Sequence, residues 1–106
     1  MINDEILKIK ERIISMVSIE KLYLFGSYAY GTPNEDSDYD FYIVIPDNSI
    51  RPLEAMQKAR QSMRGMERQK SVDILAGTAE VFERRSKRLT LEKEVYEKGV
   101  LLYEKS

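Results

Sequence analysis

Hydrophobic and polar positions follow two different periods along the chain. Near the N-terminus, Ile6, Ile9, Ile13 and Val17 recur at helical spacing, so they predict the apolar face of an amphipathic helix. Further on, short runs of apolar, β-branched and aromatic residues predict strands. The predicted elements are a helix over 3–18, strands over 21–25 and 38–45, a helix over 52–68, a strand over 71–75, and helices over 79–87 and 91–98.

Residues at the element boundaries favour this assignment. Asn3, Thr78 and Thr90 each precede a predicted helix and could cap its first turn, and Gly99 would stop the last helix. Pro52 suits the first position of the middle helix, because the N–H it lacks would have no intrahelical partner there. The residues of that helix predicted to face inward are Leu53, Met56 and Met63.

The order of these elements predicts the fold class. Residues 26–37 are rich in Gly, Ser, Thr, Pro and Asn, which predicts mostly turn with one short helical turn after Ser27. This segment is too short for a full helical crossover, so the two strands that it joins should be antiparallel. Residues 99–104 are predicted to be a short apolar tail packed on the domain. We therefore expect a single α+β domain over 1–106, with a small mixed sheet against helices.

Composition narrows the chemistry that the chain can perform. Its 106 residues suffice for one compact domain, and its net charge of −1 argues against bulk electrostatic capture of nucleic acid. The chain has neither cysteine nor histidine, which excludes disulfides, thiolate-bound zinc and histidine-based catalysis. Carboxylates, hydroxyls, Lys, Arg and a bound metal ion remain. No signal peptide and no membrane-length apolar run are visible, so the expected location is cytoplasmic.

Two aspartates on one predicted strand are the first candidate site. Asp38 and Asp40 are two residues apart, so they should point to the same face of the sheet. Adjacent carboxylates repel each other unless a cation lies between them, and no Lys or Arg occurs within four residues on either side. Carboxylate oxygens suit Mg²⁺, which commonly binds one or two carboxylates and substrate phosphates. The opposite face, with Tyr39, Phe41, Ile43 and Ile45, should face the core.

Asp73 and the Gly26-Ser27 pair extend this candidate site. Asp73 interrupts the apolar run of the third predicted strand and would complete a three-carboxylate cluster if that strand lies beside the second. Such a cluster suits metal-assisted phosphoryl transfer. Gly26 follows a strand and would let the backbone approach a phosphate, while Ser27 adds a hydroxyl donor.

Each of these residues also has an ordinary structural interpretation. Gly26-Ser27 alone could be a plain turn that ends a strand, and Asp38 alone could cap a strand within a solvated acidic run. Asp73 alone could be a salt-bridged structural carboxylate. Asp40 is harder to explain in this way, because it lies inside the apolar run. Only the combination favours a metal–nucleotide site.

The stretch "FGSYAYGTPNEDSDYDFYIV" resembles the signature of the polymerase-β-like nucleotidyltransferases. A hydrophobic-Gly-Ser sequence is followed, after the ten residues 28–37, by Asp-hydrophobic-Asp-hydrophobic. The short chain and the ending "EKGVLLYE" are most similar to the minimal nucleotidyltransferases, which often pair with a helical HEPN protein as a toxin–antitoxin module. The resemblance implies a polymerase-β palm-like fold over nearly the whole chain.

The same resemblance implies roles for the residues and for the partner. Gly26 and Ser27 would bind the triphosphate, Asp38 and Asp40 would bind Mg²⁺, and Asp73 would be a third metal ligand or the base toward the acceptor. The reaction would transfer AMP from ATP to a hydroxyl, with a tyrosine of a HEPN-type toxin as the expected acceptor. The chain would then act as an antitoxin. No separate acceptor lobe is visible, which favours a macromolecular acceptor, although a homodimer could also build an acceptor pocket.

Two other functions stay open at this stage. A binding antitoxin would neutralise its partner by contact alone, with a silent acidic cluster. A small-molecule transferase would modify a free hydroxyl compound.

Two further features of the sequence have alternative interpretations. Arg60, Arg64 and Arg68 are spaced by four on the predicted helix of 52–68, so they should form one basic stripe, either a solvated face or a docking surface. The run "ERRSKR" at 83–88 has the same two interpretations. Tyr28 and Tyr30, in the segment after Ser27, are either ordinary half-buried residues or contacts to the nucleotide.

Overall fold

The computed structural model describes residues 2–68 and 70–106, which form one mixed sheet with helices on both faces. No helix in these two ranges is long and apolar enough to cross a membrane. The described elements are α1 (Asp4–Met16), β1 (Lys21–Phe25), α2 (Ser27–Tyr30), β2 (Tyr39–Ile45), α3 (Pro52–Ser62), β3 (Val72–Thr78), α4 (Ala79–Arg85), α5 (Leu91–Lys98) and β4 (Val100–Glu104).

The sheet has the strand order β3-β2-β1-β4. β1 pairs antiparallel with both β2 and β4, and β2 pairs parallel with β3. The parallel pair is joined through α3, since a parallel connection must cross from one end of the sheet to the other. The predicted α+β class, mixed sheet and antiparallel first pair are confirmed.

The two faces of the sheet bury different sets of residues. One face packs on α1 and α3 and forms the main core, in which Ile6, Ile9 and Ile13 of α1 are fully buried. The predicted inward set of β2 belongs to this core: Tyr39, Phe41, Ile43 and Ile45. The other face holds a smaller cluster under α4 and α5: Tyr23, Phe25, Tyr42, Val44, Phe82 and Val95. Because Asp40 alternates with Tyr39 and Phe41, its side chain belongs to the second face.

Three predicted helix caps are confirmed by their hydrogen bonds. The side chain of Asn3 accepts from the Ile6 amide, that of Thr78 from Val81, and that of Thr90 from Lys93. Each satisfies an amide that would otherwise lack a partner in the first turn of its helix.

The predicted helix over 52–68 is too long. α3 ends at Ser62, and Gly65 follows with a φ of 76°, a conformation that ends a helix readily. The prediction of a basic stripe along this helix is therefore wrong beyond Arg60. The Arg60 guanidinium donates to the Val72 carbonyl at 3.2 Å. Arg12 of α1 donates to the carbonyls of Ser62 and Arg64 at 3.1 and 3.2 Å, which satisfies the end of α3.

The predicted inward face of α3 is partly wrong. Leu53 is 64% exposed, while Ala55 and Ala59 are fully buried and Met63 is 3% exposed. Two alanines on the inner face let the helix approach the sheet closely, so a large residue at 53 is turned outward.

Two strand predictions also differ from the structure. β3 continues to Thr78 rather than ending at Leu75, because residues 76–78 pair with Ile43–Ile45. The apolar tail is the edge strand β4, which pairs with β1 across an irregularity at Leu22/Tyr23.

Candidate active site

Asp40 and Asp73 lie opposite each other in the parallel pairing of β2 with β3. Residues paired in this way point to the same face of a sheet, so the condition on which the three-carboxylate prediction rested is met. Asp38 lies one residue before β2 and is partly buried. The topology thus brings the three predicted carboxylates to one end of the central strands.

The environment of Asp40 is unfavourable for an isolated negative charge. Burial first, then the charges of Asp73 and Asp38, raise the pKa of the Asp40 carboxyl to about 6. A hydrogen-bond interaction with Asp73, its partner in the ladder, raises the Asp40 pKa further, so the two carboxyl groups lie close together. Asp38 acts on Asp40 through its charge only.

This donor set fits a hard divalent cation, although the carboxylates do not enclose one as they stand. Within residues 2–68 and 70–106, no three acidic, histidine or cysteine side chains converge closely enough to hold a metal ion. Asp40 and Asp73, paired on neighbouring strands, nevertheless provide two oxygen-bearing groups whose mutual repulsion a cation would relieve.

Gly26 occupies a position beside Asp40 that only glycine fits. Its φ is 76°, and a Cβ atom built on it would overlap Oδ2 of Asp40. This close approach follows from the pairing of Phe25 with Asp40 in the β1–β2 ladder. The first turn of α2 begins at Ser27, and such a turn presents backbone N–H groups without intrahelical acceptors. The backbone of the predicted phosphate turn therefore lies against the predicted metal ligand.

Lys70 is a residue of this region that the sequence interpretation missed. Its ammonium donates to the backbone carbonyls of Asn34 and Glu35 at 3.2 and 2.6 Å. The loop 31–37, which joins α2 to Asp38, is thereby attached to the segment that leads into β3. Nothing near Lys70 in the sequence indicates this contact, since the partners are more than 30 positions away.

The two tyrosines after Ser27 face different surroundings. The Tyr28 ring packs edge-on against Tyr39, with ring centres 4.7 Å apart, on the main-core side. The Tyr30 hydroxyl donates to Glu94 of α5 at 2.6 Å and is exposed. Of the two, Tyr30 is the one that contacts the helices covering the second face of the sheet.

The carboxylates lie on an open surface. On the same face, Leu75 follows Asp73 by two residues and is 37% exposed, and Asp73 itself is exposed. A concavity of about 510 Å³ lies elsewhere, lined by residues that include Lys21, Phe82 and Tyr96, and contains none of the three aspartates. A large acceptor can therefore approach the carboxylates from the β3 side.

Comparison with protein families identifies the chain's relatives. The model of the family described as "Polymerase beta, Nucleotidyltransferase" matches residues 7–106. The chain belongs to this nucleotidyltransferase family. Its four-stranded mixed sheet and flanking helices match the family fold, which confirms the fold expected from the resemblance. No curated protein matches the chain in sequence.

Three solved structures are similar to this nucleotidyltransferase. A protein of Sulfolobus solfataricus, provisionally assigned as a nucleotidyltransferase, is 23% identical with a TM-score of 0.62, over 92% of this chain and 76% of that one. A toxin–antitoxin structure with AMP-PNP is 21% identical with a TM-score of 0.61, over 94% of this chain and 73% of that one.

The third is a toxin–antitoxin structure named MntA–HpeT, in a mutant form with two Asp-to-Glu changes two positions apart. It is 18% identical with a TM-score of 0.59, over 99% of this chain and 76% of that one. At these sequence identities the similarity shows a shared fold and nothing more specific.

Proposed function

We propose that the chain is a Mg²⁺-dependent nucleotidyltransferase that transfers AMP from ATP to a hydroxyl of a HEPN-type toxin. The expected acceptor is the hydroxyl of a tyrosine. The chain would thereby act as an antitoxin. The observation that carries the proposal is the pairing of Asp40 with Asp73 on neighbouring strands, with the Asp40 carboxylate directly against Gly26 of the Gly26-Ser27 turn. Ordinary packing gives no reason to place two carboxylates together against a glycine turn at the end of a strand.

Each residue has a role in this reaction. The amides at the start of α2 and the Ser27 hydroxyl would bind the triphosphate, and Gly26 lets the phosphates come close to the backbone. Asp38, Asp40 and Asp73 would hold Mg²⁺, which neutralises phosphate charge and stabilises the attacking and leaving oxygens. Asp73, the exposed member, would alternatively accept the proton of the acceptor hydroxyl.

The transfer is a simple displacement at the α-phosphorus. A bond forms between the acceptor oxygen and the α-phosphorus, and the bond from that phosphorus to the bridging oxygen breaks. Pyrophosphate leaves with the electron pair of the broken bond, and the hydroxyl proton passes to Asp73. Holding the reactants in line on a fixed turn supplies much of the rate enhancement.

The similarity to toxin–antitoxin structures supports the choice of a protein acceptor. One of those structures contains AMP-PNP, and another carries changes at two aspartates with the spacing of Asp38 and Asp40. The open β3 side of the site, with Leu75 exposed beside Asp73, leaves room for a macromolecule.

A second candidate, neutralisation of the partner by contact alone, is favoured by one observation. The three carboxylates do not enclose a metal ion within the described ranges. On this alternative the fold is a scaffold, and loss of the Asp40 charge would leave neutralisation intact.

Transfer of label from α-phosphate-labelled ATP tests both candidates. The native chain and Asp40→Asn are each incubated with Mg²⁺ and the product of a neighbouring toxin gene or a cell lysate. We expect a labelled protein band with the native chain that is lost with Asp40→Asn. Partner binding by both forms without label in any protein would select the contact mechanism. A labelled small product without a labelled protein would instead identify a small-molecule transferase.

A further inference from the structure

Two tyrosine–glutamate hydrogen bonds attach α5 to the rest of the domain. Tyr30 donates to Glu94 at 2.6 Å, and Tyr42 donates to Glu92 at 2.9 Å. The two bonds are alike in chemistry and arise two residues apart on the same helix. They differ in the part of the domain that they connect to α5. Tyr42 belongs to the buried second cluster, whereas Tyr30 belongs to the short helix α2.

Tyr30 is joined directly to the Gly26-Ser27 turn. Its amide donates to the Gly26 carbonyl at 3.1 Å and closes the single helical turn that begins at Ser27. On the outer side of the ring, the Lys98 ammonium lies 5.9 Å from the ring centre, a cation–π distance. The Tyr30 side chain is therefore bound to α5 at two points, Glu94 and Lys98.

The surroundings of the Tyr30 hydroxyl place it beside the phosphate turn and the carboxylates. Burial and the hydrogen bond to Glu94 raise the pKa of this hydroxyl to about 12, and the Gly26 amide acts on it in the opposite direction. The Asp40 charge acts on the same hydroxyl. One side chain is thus bonded to α5, while its own backbone amide is bonded to Gly26.

A helix of four residues cannot hold its own shape, because one turn fixes several dihedral angles for very few hydrogen bonds. Fixing α2 requires contacts from outside: Tyr28 packs on Tyr39 at the main-core side, and α5 holds the other side through Tyr30. Without such contacts, a ligand would have to order the turn at the expense of its own binding energy.

We propose that Tyr30 and Glu94 are positioning residues for the nucleotide: their hydrogen bond fixes the Gly26-Ser27 turn in the geometry that receives the triphosphate. The inference rests on the proposed nucleotide site. It assigns to α5, which contributes none of the predicted ligands, a specific effect on nucleotide affinity. The Lys98 ammonium supports the same function by holding the Tyr30 ring against α5.

Binding of a non-hydrolysable ATP analogue with Mg²⁺ to the full chain, measured by calorimetry, tests this inference. Tyr30→Phe removes only the hydroxyl and should weaken binding roughly tenfold, as expected for one lost hydrogen bond to a charged group. Glu94→Ala should weaken binding similarly, whereas Glu94→Gln, which keeps an acceptor oxygen, should recover most of the affinity. In transfer assays, the KM for ATP should rise while kcat at saturating ATP stays near the native value.

Tyr42→Phe is the matched control, since it removes the equivalent bond from the same helix. It should lower the melting temperature and leave affinity for the analogue unchanged. Equal affinity of Tyr30→Phe and the native chain would overturn the inference and leave the proposed function intact. Equal loss in Tyr30→Phe and Tyr42→Phe would overturn it as well, because the effect would then be general destabilisation. Failure of the native chain to bind the analogue would instead contradict the nucleotide site itself.

Discussion

The Cα of Gly26 lies so close to the Asp40 carboxylate that no side chain can be placed between them. The turn that would bind phosphate and the residue that would bind metal are therefore fixed relative to each other by backbone contact. Two independent requirements act at this glycine, because its φ of 76° is also unfavourable for any residue with a Cβ atom.

Gly26→Ala should therefore impair both the fold and the site. The methyl group would force Asp40 aside, and the positive φ adds strain, so we expect a loss of about 1–3 kcal/mol in the free energy of unfolding. Nucleotide transfer should be abolished even at temperatures where the variant stays folded. Chemical denaturation and label transfer measure the two effects separately.

Gly65→Ala is a stringent control for this variant. Gly65 has the same φ of 76°, but a Cβ atom there would meet nothing within 4 Å. Gly65→Ala should lose only the part of the free energy of unfolding that comes from backbone strain, and it should keep full transfer activity. If both alanine variants transferred AMP equally well, the contact between Gly26 and Asp40 would have no functional importance.

Removal of the Asp40 charge should stabilise the metal-free protein. Burial and the neighbouring carboxylates disfavour the charged form of Asp40, so Asp40→Asn relieves a cost that we place at about 1 kcal/mol after allowing for its partial exposure. In EDTA at neutral pH, the melting temperature of Asp40→Asn should exceed that of the native chain by several degrees. Addition of Mg²⁺ should stabilise the native chain and leave the variant unchanged.

Asp36→Asn is the control, because Asp36 is an exposed residue of the neighbouring loop. A melting temperature of Asp40→Asn at or below that of Asp36→Asn, without metal, would argue that Asp40 is a structural carboxylate rather than a repelled ligand.

Stability should depend on pH through Glu92. Burial alone would raise the pKa of Glu92, but hydrogen bonds from Arg85 at 2.9 Å and from Tyr42 outweigh it and lower the pKa below 4.5. The ionised group therefore stabilises the native state above the unfolded pKa, and this contribution is lost as the pH falls through the folded pKa. Glu92→Gln should lower the urea midpoint at pH 7. The difference from the native chain should shrink as the pH falls below 4.5. A constant difference across this range would contradict the assignment.

Local patterns were sufficient to predict the central part of the fold and the site. The alternation of Asp40 with Tyr39 and Phe41 predicted which face of the sheet carries its side chain. The short turn-rich segment before it predicted the antiparallel pairing of β2 with β1. The approach of Asp73 to Asp40 was predicted on one condition that local patterns do not settle, that β3 lies beside β2, and the parallel pairing meets it.

The missed features depend on contacts between distant parts of the chain. β4 is recognisable as a strand only from its pairing with β1, roughly 80 positions earlier. The outward position of Leu53 follows from the packing of Ala55 and Ala59 on the sheet, whereas hydrophobicity alone favours the larger side chain as the buried one. The bond between Tyr30 and Glu94 spans 64 positions and leaves no trace in either local pattern.

Lys70→Met should release the loop that leads to Asp38. The ammonium holds the carbonyls of Asn34 and Glu35, and methionine retains most of the aliphatic length without the donors. Local opening of the loop should become more frequent, so that endoproteinase Glu-C cuts faster after Glu35 while the melting temperature changes little. Lys58→Met, which loses only an exposed ion pair with Glu54, should be cleaved at the native rate.

Binding of the ATP analogue with Mg²⁺ to Lys70→Met should weaken several-fold, because the loop that positions Asp38 next to β2 would no longer be attached to Lys70. An unchanged cleavage rate at Glu35 would show that the loop is held by its own turn, in which Ser37 and Asn34 are already hydrogen-bonded.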